Sequence, residues 1–194
     1  MLNKDNMKCI KRGDILLYDC QGFIGGLIGW FSGGNKMHSS IVSSIVAGKI
    51  IIIEAHLGAE NDQGVKNKGR VHEKTLNVKK WGAGITVKRV RGGINLSQAN
   101  KLIKVLRLED VGRTQYDLES FPSMFFRSRI GQIFGWKKFR KDRPILNNPQ
   151  KQVCSTLIAS RYEKVLGIDI CEEVNAESVT PSDLQHTKSL STVC

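Results

Sequence analysis

The chain predicts a domain that mixes β-strands with helices, and three observations carry that reading. Residues 38–46 and 49–55 are β-branched runs on either side of Ala47-Gly48, the pattern of a hairpin. Residues 97–108 place Ala99, Leu102, Ile103 and Leu106 at the spacing of one helical face, with Ser97 as the expected cap. A second amphipathic helix follows Pro149. Its apolar residues recur at Leu157, Ile158, Tyr162, Val165 and Leu166, and Gly167 closes it, so Cys154 falls in its first turn.

The remaining elements follow in order. Gly13 to Tyr18 reads as a first strand after a turn, and residues 22–31 as a short glycine-containing helix that ends at Gly33-Gly34-Asn35. In the hairpin, a three-residue loop of Val46, Ala47 and Gly48 puts Gly48 at the left-handed position of a bulged turn. That loop sets Ile45 opposite Lys49, Ser40 opposite Glu54 and His38 opposite His56. A two-residue Ala-Gly loop would instead turn Glu54 to the other face. Gly58 to Lys80 is a polar, lysine-rich loop with a short strand near 70–76, and Ile85 to Val90 alternates as a half-buried strand. Tyr116-Asp117 follows a break at Gly112, and the tail from Thr187 is expected to fray. No repeat or low-complexity segment interrupts what reads as one domain over 1–194, with an insert of different composition at about 121–150.

At 194 residues, 40% hydrophobic and 25% charged, the chain has the composition of a globular domain with a proper core. Thirty Lys and Arg against 18 Asp and Glu give a net charge of +12, which favours anionic partners. The five cysteines are an odd number without Cys-x-x-Cys spacing, so neither a disulfide framework nor a zinc site is expected, and a reducing compartment fits. Met1 to Asp5 lacks the apolar core of a signal peptide, Leu2 stands where myristoylation needs glycine, and Cys194 is not four from the end as prenylation requires. The longest apolar run, Phe23 to Phe31, is nine residues with three glycines and is too short to span a bilayer. The expected location is cytoplasmic, with peripheral membrane contact allowed.

Chemistry concentrates at Cys154. A free cysteine is most often a small buried hydrophobe. A thiol in the first turn of a helix, however, meets unpaired backbone N–H groups and the positive end of the helix dipole, which lower its pKa toward thiolate. The same N–H groups can hold an oxyanion. His38 is the candidate base. The hairpin register puts both Glu54 and His56 on its face, Glu54 as a diagonal neighbour roughly 7–8 Å away along the backbone, within side-chain reach. An acidic residue in a run of four isoleucines needs a partner, and a carboxylate on one imidazole nitrogen leaves the other to act as base. Glu54 is favoured over His56 because only the carboxylate stabilises the imidazolium.

Residues 121–150 interleave Phe121, Phe125, Phe126, Phe134, Trp136 and Phe139 with seven Lys or Arg between 127 and 143, against one acid, Asp142. Such a stretch is a solvated face in its plainest reading. Its alternatives are a contact with single-stranded nucleic acid or with an anionic membrane surface. No zinc finger, helix-turn-helix or phosphate-binding glycine loop accompanies it, so nucleic acid is disfavoured.

The order of Gly13-Asp14-Ile15-Leu16, Met37-His38-Ser39-Ser40-Ile41-Val42, Ile53-Glu54-Ala55, Tyr116-Asp117, Val153-Cys154-Ser155 and Thr180-Pro181-Ser182-Asp183-Leu184 resembles the permuted papain-like cysteine hydrolases. These are NlpC-related proteins of the YiiX type, distantly similar to lecithin–retinol acyltransferases. The resemblance implies an α+β fold in which an antiparallel sheet or half-barrel packs on helices, with the nucleophile at a helix N-terminus. It also implies Cys154 as nucleophile, His38 as base and Glu54 as the orienting residue.

The expected function is therefore a cysteine hydrolase of amidase, peptidase or acyl-transfer type, acting through a Cys-His-Glu triad and a thioester, with no metal or organic cofactor. Tyr18 or Tyr116 is expected to complete the oxyanion hole, and Tyr18, Tyr116 and Trp136 are candidate substrate contacts. The substrate carries an amide or ester, in a peptide, a cell-wall fragment or a lipid. The rival reading is a lipid- or anionic-membrane-binding protein with a vestigial papain-like site.

Overall fold

The computed structural model describes residues 6–20, 35–56, 69–77, 84–116 and 151–193. The helix expected at 22–31, the loop at 58–68 and the basic aromatic segment at 121–150 lie outside the described residues.

The strands run in the order expected. β1 (Ile15–Asp19), β2 (Lys36–Val46), β3 (Lys49–His56), β4 (Arg70–Thr75) and β5 (Ile85–Val90) are followed by α1 (Leu96–Val105), which passes into a π-helical turn, Leu106–Asp110. β6 (Gln115–Tyr116), β7 (Lys151–Gln152), α2 (Cys154–Leu166), α3 (Pro181–His186) and β8 (Leu190–Thr192) complete the described chain. All strands join one sheet, ordered β7-β6-β4-β3-β2-β1-β5-β8. Every pairing is antiparallel except the two-residue bridge between β6 and β7, which is parallel and delivers the chain into α2.

Both faces of the sheet are apolar. Ile15, Leu17, Ile41, Ile53, Ala55 and Val71 pack against Leu157, Ile158 and Tyr162 of α2 and Leu102 and Ile103 of α1. Leu16, Tyr18, Val42, Ile50, Ile52, Leu76, Ile85 and Val87 form a second cluster on the opposite face. Strands buried on both faces read as continuous apolar runs, which is why residues 50–53 are four isoleucines without alternation.

The hairpin differs from its expected form. Ala47 (φ 48°) and Gly48 (φ 72°) make a two-residue turn of two left-handed residues, with Val46 opposite Lys49. Such a turn suits the twist of the flanking strands and is why glycine stands at 48. Taken alone, it would turn Glu54 to the wrong face. A bulge intervenes: Ser44 pairs with Ile51 but Val42 pairs with Ile52, so Ser43 is left over and the register shifts by one. Continued from Ile41 opposite Ile53, the ladder sets Ser40 opposite Glu54. The expected pairing is thus reached by a different loop.

Three other expectations are corrected. α1 begins two residues earlier, capped by Asn95, whose side chain accepts from Gln98 N while Gln98 Oε1 accepts from Asn95 N, both at 2.9 Å. Asparagine outcompetes Ser97 because its carbonyl closes a reciprocal box. The tail does not fray: Leu190–Thr192 adds to the edge of β5, with Leu190 buried against the main core. Finally, Cys9 is disulfide-bonded, which the odd cysteine count did not suggest and which removes the argument for a reducing compartment. Its partner lies outside the described residues.

Two of the motifs tie the sheet to α2. Gly13 (φ 90°) is pressed by Ile94, whose Cδ1 lies 2.7 Å from where a Cβ would stand, and its carbonyl accepts from the Tyr162 hydroxyl on α2. Asp14, buried, is gripped by Arg89 through Nε and Nη2, each at 2.7 Å. Thr180 caps α3 in a reciprocal box with Asp183, and Ser155 donates to the Val179 carbonyl at 2.6 Å. The first turn of α2 is thereby fixed against the segment that leads into α3.

Candidate functional site

β2 supplies His38, β3 supplies Glu54, and the first turn of α2 supplies Cys154. Alternation places His38 and Ser40 on the Tyr18 face of β2 and Ser39 on the face of Ile41, toward α2. His38 Nε2 lies 3.0 Å from Glu54 Oε2. The Cys154 thiol is hydrogen-bonded to the His38 side chain. With Nε2 committed to Glu54, Nδ1 is the nitrogen that serves the sulfur. Ser39 also faces the sulfur through its hydroxyl and its backbone.

Burial alone would keep all three groups uncharged. It raises the Cys154 thiol, but His38 and the hydrogen bonds from Ser39 outweigh it and bring the thiol below its ordinary pKa. It pulls His38 down, but the charges of Cys154 and Glu54 push the imidazole up to about 10. It raises Glu54, but His38, His72 and Lys74 hold the carboxyl well below the usual range. The balance favours a thiolate beside an imidazolium, with an ionised carboxylate behind.

The start of α2 is unusual among the helices. Asn95 and Thr180 cap α1 and α3 with side-chain acceptors, whereas the residue at the start of α2 is Val153, which offers none. Thr156 turns its hydroxyl back onto Val153, accepting from its N–H at 3.1 Å and donating to its carbonyl at 3.0 Å. Val153 leaves the N–H groups of the first turn without a cap from its own side chain, and such groups are an anion site in waiting.

Glu54 is the most heavily engaged residue of the group. Besides His38 on Oε2, its Oε1 lies 2.5 Å from Lys74 Nζ and 3.3 Å from His72 Nε2. β4 places both of these, with His72 directly opposite Glu54 and Lys74 opposite Ile52 on the same face. Sequence reasoning missed them, although the strand expected near 70–76 already put His72 and Lys74 on one side.

Tyr18 is corrected from a substrate contact to a support. It is 1% exposed, its hydroxyl is 2.7 Å from Ser40 Oγ, and its ring lies 5.2 Å from that of His38. Burial and the charge of Glu54 raise its phenol above the ordinary value, so it stays protonated. Cys154 is buried, as is His38. The Tyr116 backbone pairs with Gln152, two residues before Cys154. The side chains of Tyr116 and His56, and the whole of Trp136, lie outside the described residues. Among the described residues no three His, Cys, Asp or Glu side chains are grouped so as to hold a metal ion, and no helix is long and apolar enough to cross a membrane.

No protein-family model and no curated protein matches the chain. A solved structure does. The chain is similar to the metalloprotein yiiX from Escherichia coli O157:H7 (DUF1105), with a TM-score of 0.58 and 17% sequence identity over 95% of this chain and 96% of that one. The likeness is one of fold: an α+β architecture of the YiiX type, matched over nearly the whole length of both chains.

Proposed function

We propose that the chain is a cysteine hydrolase of amidase, peptidase or acyl-transfer type, in which Cys154 is the nucleophile, His38 the base and Glu54 the orienting carboxylate. The observation that carries this reading is the continuous contact from the Cys154 thiol through the His38 ring to Glu54 Oε2, at a helix start with no side-chain cap. His38 Nδ1 holds the thiol proton. The sulfur attacks a carbonyl carbon, the carbonyl π pair moves onto oxygen, and the Cys154 N–H stabilises the oxyanion. When the carbonyl re-forms, the leaving amine or alkoxide departs with the proton from His38, and a thioester remains. Water or another acceptor then gives its proton to His38 and attacks the thioester, and the thiolate leaves.

The yiiX structure is described as a metalloprotein, but the residues here do not fit a metal. The Nε2 atoms of His38 and His72 both face Glu54, and the Lys74 ammonium already neutralises that carboxylate. No step is routed through an ion.

The test is acyl capture. Intact-mass measurement after mixing with p-nitrophenyl acetate should find one acetyl group on Cys154, which decays with time and does not form in His38→Ala. Absence of an adduct on Cys154, with tight binding to anionic vesicles, would support the lipid-binding reading instead.

A further inference from the structure

Lys74 and His72 belong to neither the nucleophile nor the base, yet both reach the buried carboxylate that orients the base. From this juxtaposition we infer that Lys74 is a positioning residue of the site: its ammonium keeps Glu54 ionised through the whole reaction, with His72 as second support. The inference rests on the reading of Cys154, His38 and Glu54 given above.

The argument starts from charge. Glu54 is 3% exposed, and a carboxylate at that depth is strongly disfavoured unless a cation accompanies it. His38 is one such cation, but its charge is temporary. In the resting site the thiolate and the imidazolium cancel. Once the leaving group has departed with the proton and the sulfur is a thioester, both are neutral. At that stage His38 offers Glu54 no charge, and the carboxylate would take up a proton and release its hold on Nε2. Lys74, at 2.5 Å from Oε1, supplies a charge that the chemistry never consumes. With it, the sum over Cys154, His38, Glu54 and Lys74 is zero both before and after acylation. The geometry divides the work between the two oxygens: Oε2 serves His38, and Oε1 is left to Lys74 and His72.

Among the described residues, the groups facing Glu54 are few. β2 contributes His38, β4 contributes His72 and Lys74, and β1 contributes the protonated phenol of Tyr18, while Cys154 of α2 acts on it through His38. No second carboxylate is among them, and His38, His72 and Lys74 are the groups that hold Glu54 ionised. Lysine also fits the position mechanically. Nζ reaches Oε1 from a side chain that is 26% exposed, so its stem bridges the buried carboxylate and the solvent.

The experiment measures the rate of iodoacetamide alkylation at Cys154 from pH 4 to 9 in the full chain, together with the carbon-13 titration of the Glu54 carboxyl. Lys74→Met should raise the carboxyl titration by roughly one unit or more. It should also move the acid edge of Cys154 alkylation upward, with about tenfold slower labelling at pH 5 and little change at pH 7. Lys74→Arg should restore the parent edge, and His72→Gln should shift it less. Glu54→Gln is run in parallel. A Lys74→Met variant that loses thermal stability but keeps the parent's acid edge, while Glu54→Gln moves it, would overturn the role of Lys74 alone. An edge unmoved by Glu54→Gln would overturn the catalytic reading beneath it. Should Lys74→Met not fold, the Lys74→Gln variant supports the same two measurements.

Discussion

Glu54 reaches His38 because Ser43 is bulged out of the ladder between them and the hairpin tip. The tip pairs Val46 with Lys49, and that register, continued, would set Glu54 opposite Ile41 in the helix-covered core. With Ser43 skipped, Glu54 shares the face of His38 and Tyr18. The bulge is itself held. The buried Ser43 hydroxyl donates to Glu73 on β4 and accepts from Arg107 Nη2 at 2.9 Å, while Arg107 grips Glu73 at 2.7 Å. β4 thus works on both faces, with Glu73 anchoring the bulge and His72 and Lys74 anchoring Glu54.

It follows that what matters at Ser43 is one residue of length. A chain lacking Ser43 should pair Ser44 and Val42 without interruption and keep Glu54 opposite Ser40. Its stability should fall by about 1–3 kcal/mol for the lost contacts with Glu73 and Arg107. Its Cys154 should still label at low pH. Urea unfolding and alkylation kinetics measure the two parts separately, and loss of low-pH labelling in a folded deletion variant would refute the register argument.

Much of this was legible in the sequence. The order of strands β1 to β5 and the position of Cys154 in a first turn follow from periodicity, whereas the face shared by His38 and Glu54 was expected from a three-residue loop that the structure replaces with a two-residue turn and a bulge. What was not legible depends on contacts between distant segments. The bulge at Ser43 is set by Glu73 and Arg107, which lie on other elements. The pairing of Glu54 with His72 depends on which strand follows β3 in the sheet. The docking of Leu190–Thr192 on β5 is invisible to any local rule. Tyr18 was misplaced because a tyrosine in a strand looks the same whether it lines a cleft or, as here, lies beneath the histidine.

In the proposed mechanism the valine at the start of α2 trades stability for chemistry. A side-chain acceptor at that position is worth about 1 kcal/mol to a helix. Val153→Thr, close in shape, should accept from the first-turn N–H groups that the oxyanion needs. The thermal midpoint is expected to hold or rise, while acylation by p-nitrophenyl acetate slows about tenfold or more. Unchanged acylation would place the oxyanion elsewhere.

The thiolate–imidazolium pair also shapes stability against pH. His38, raised to about 10, contributes stability in full below its unfolded value of about 6.5 and loses it as pH climbs through 10. Cys154, lowered, contributes in full above its unfolded value of about 8.5 and loses it as pH falls through the folded value. Between about 6.5 and 8.5 the two trends cancel. The stability of the parent relative to a Cys154→Ser, His38→Asn double variant should therefore rise to a plateau near neutral pH and fall again toward pH 10. Denaturant titrations across pH 5–10 measure the difference, and a curve without a plateau would show that the two groups titrate independently.

The most direct measurement is the pH profile of iodoacetamide alkylation at Cys154, read residue by residue by mass spectrometry beside Cys20 and Cys171. A thiolate paired with His38 predicts labelling of Cys154 that is already near its plateau at pH 6 and stays level through pH 8. In Glu54→Gln that plateau should shrink, and in His38→Asn it should vanish. A Cys154 rate that climbs about tenfold per pH unit up to about 8.5, as for an ordinary thiol, and is unmoved by replacing His38, would contradict the assignment of Cys154 as the nucleophile.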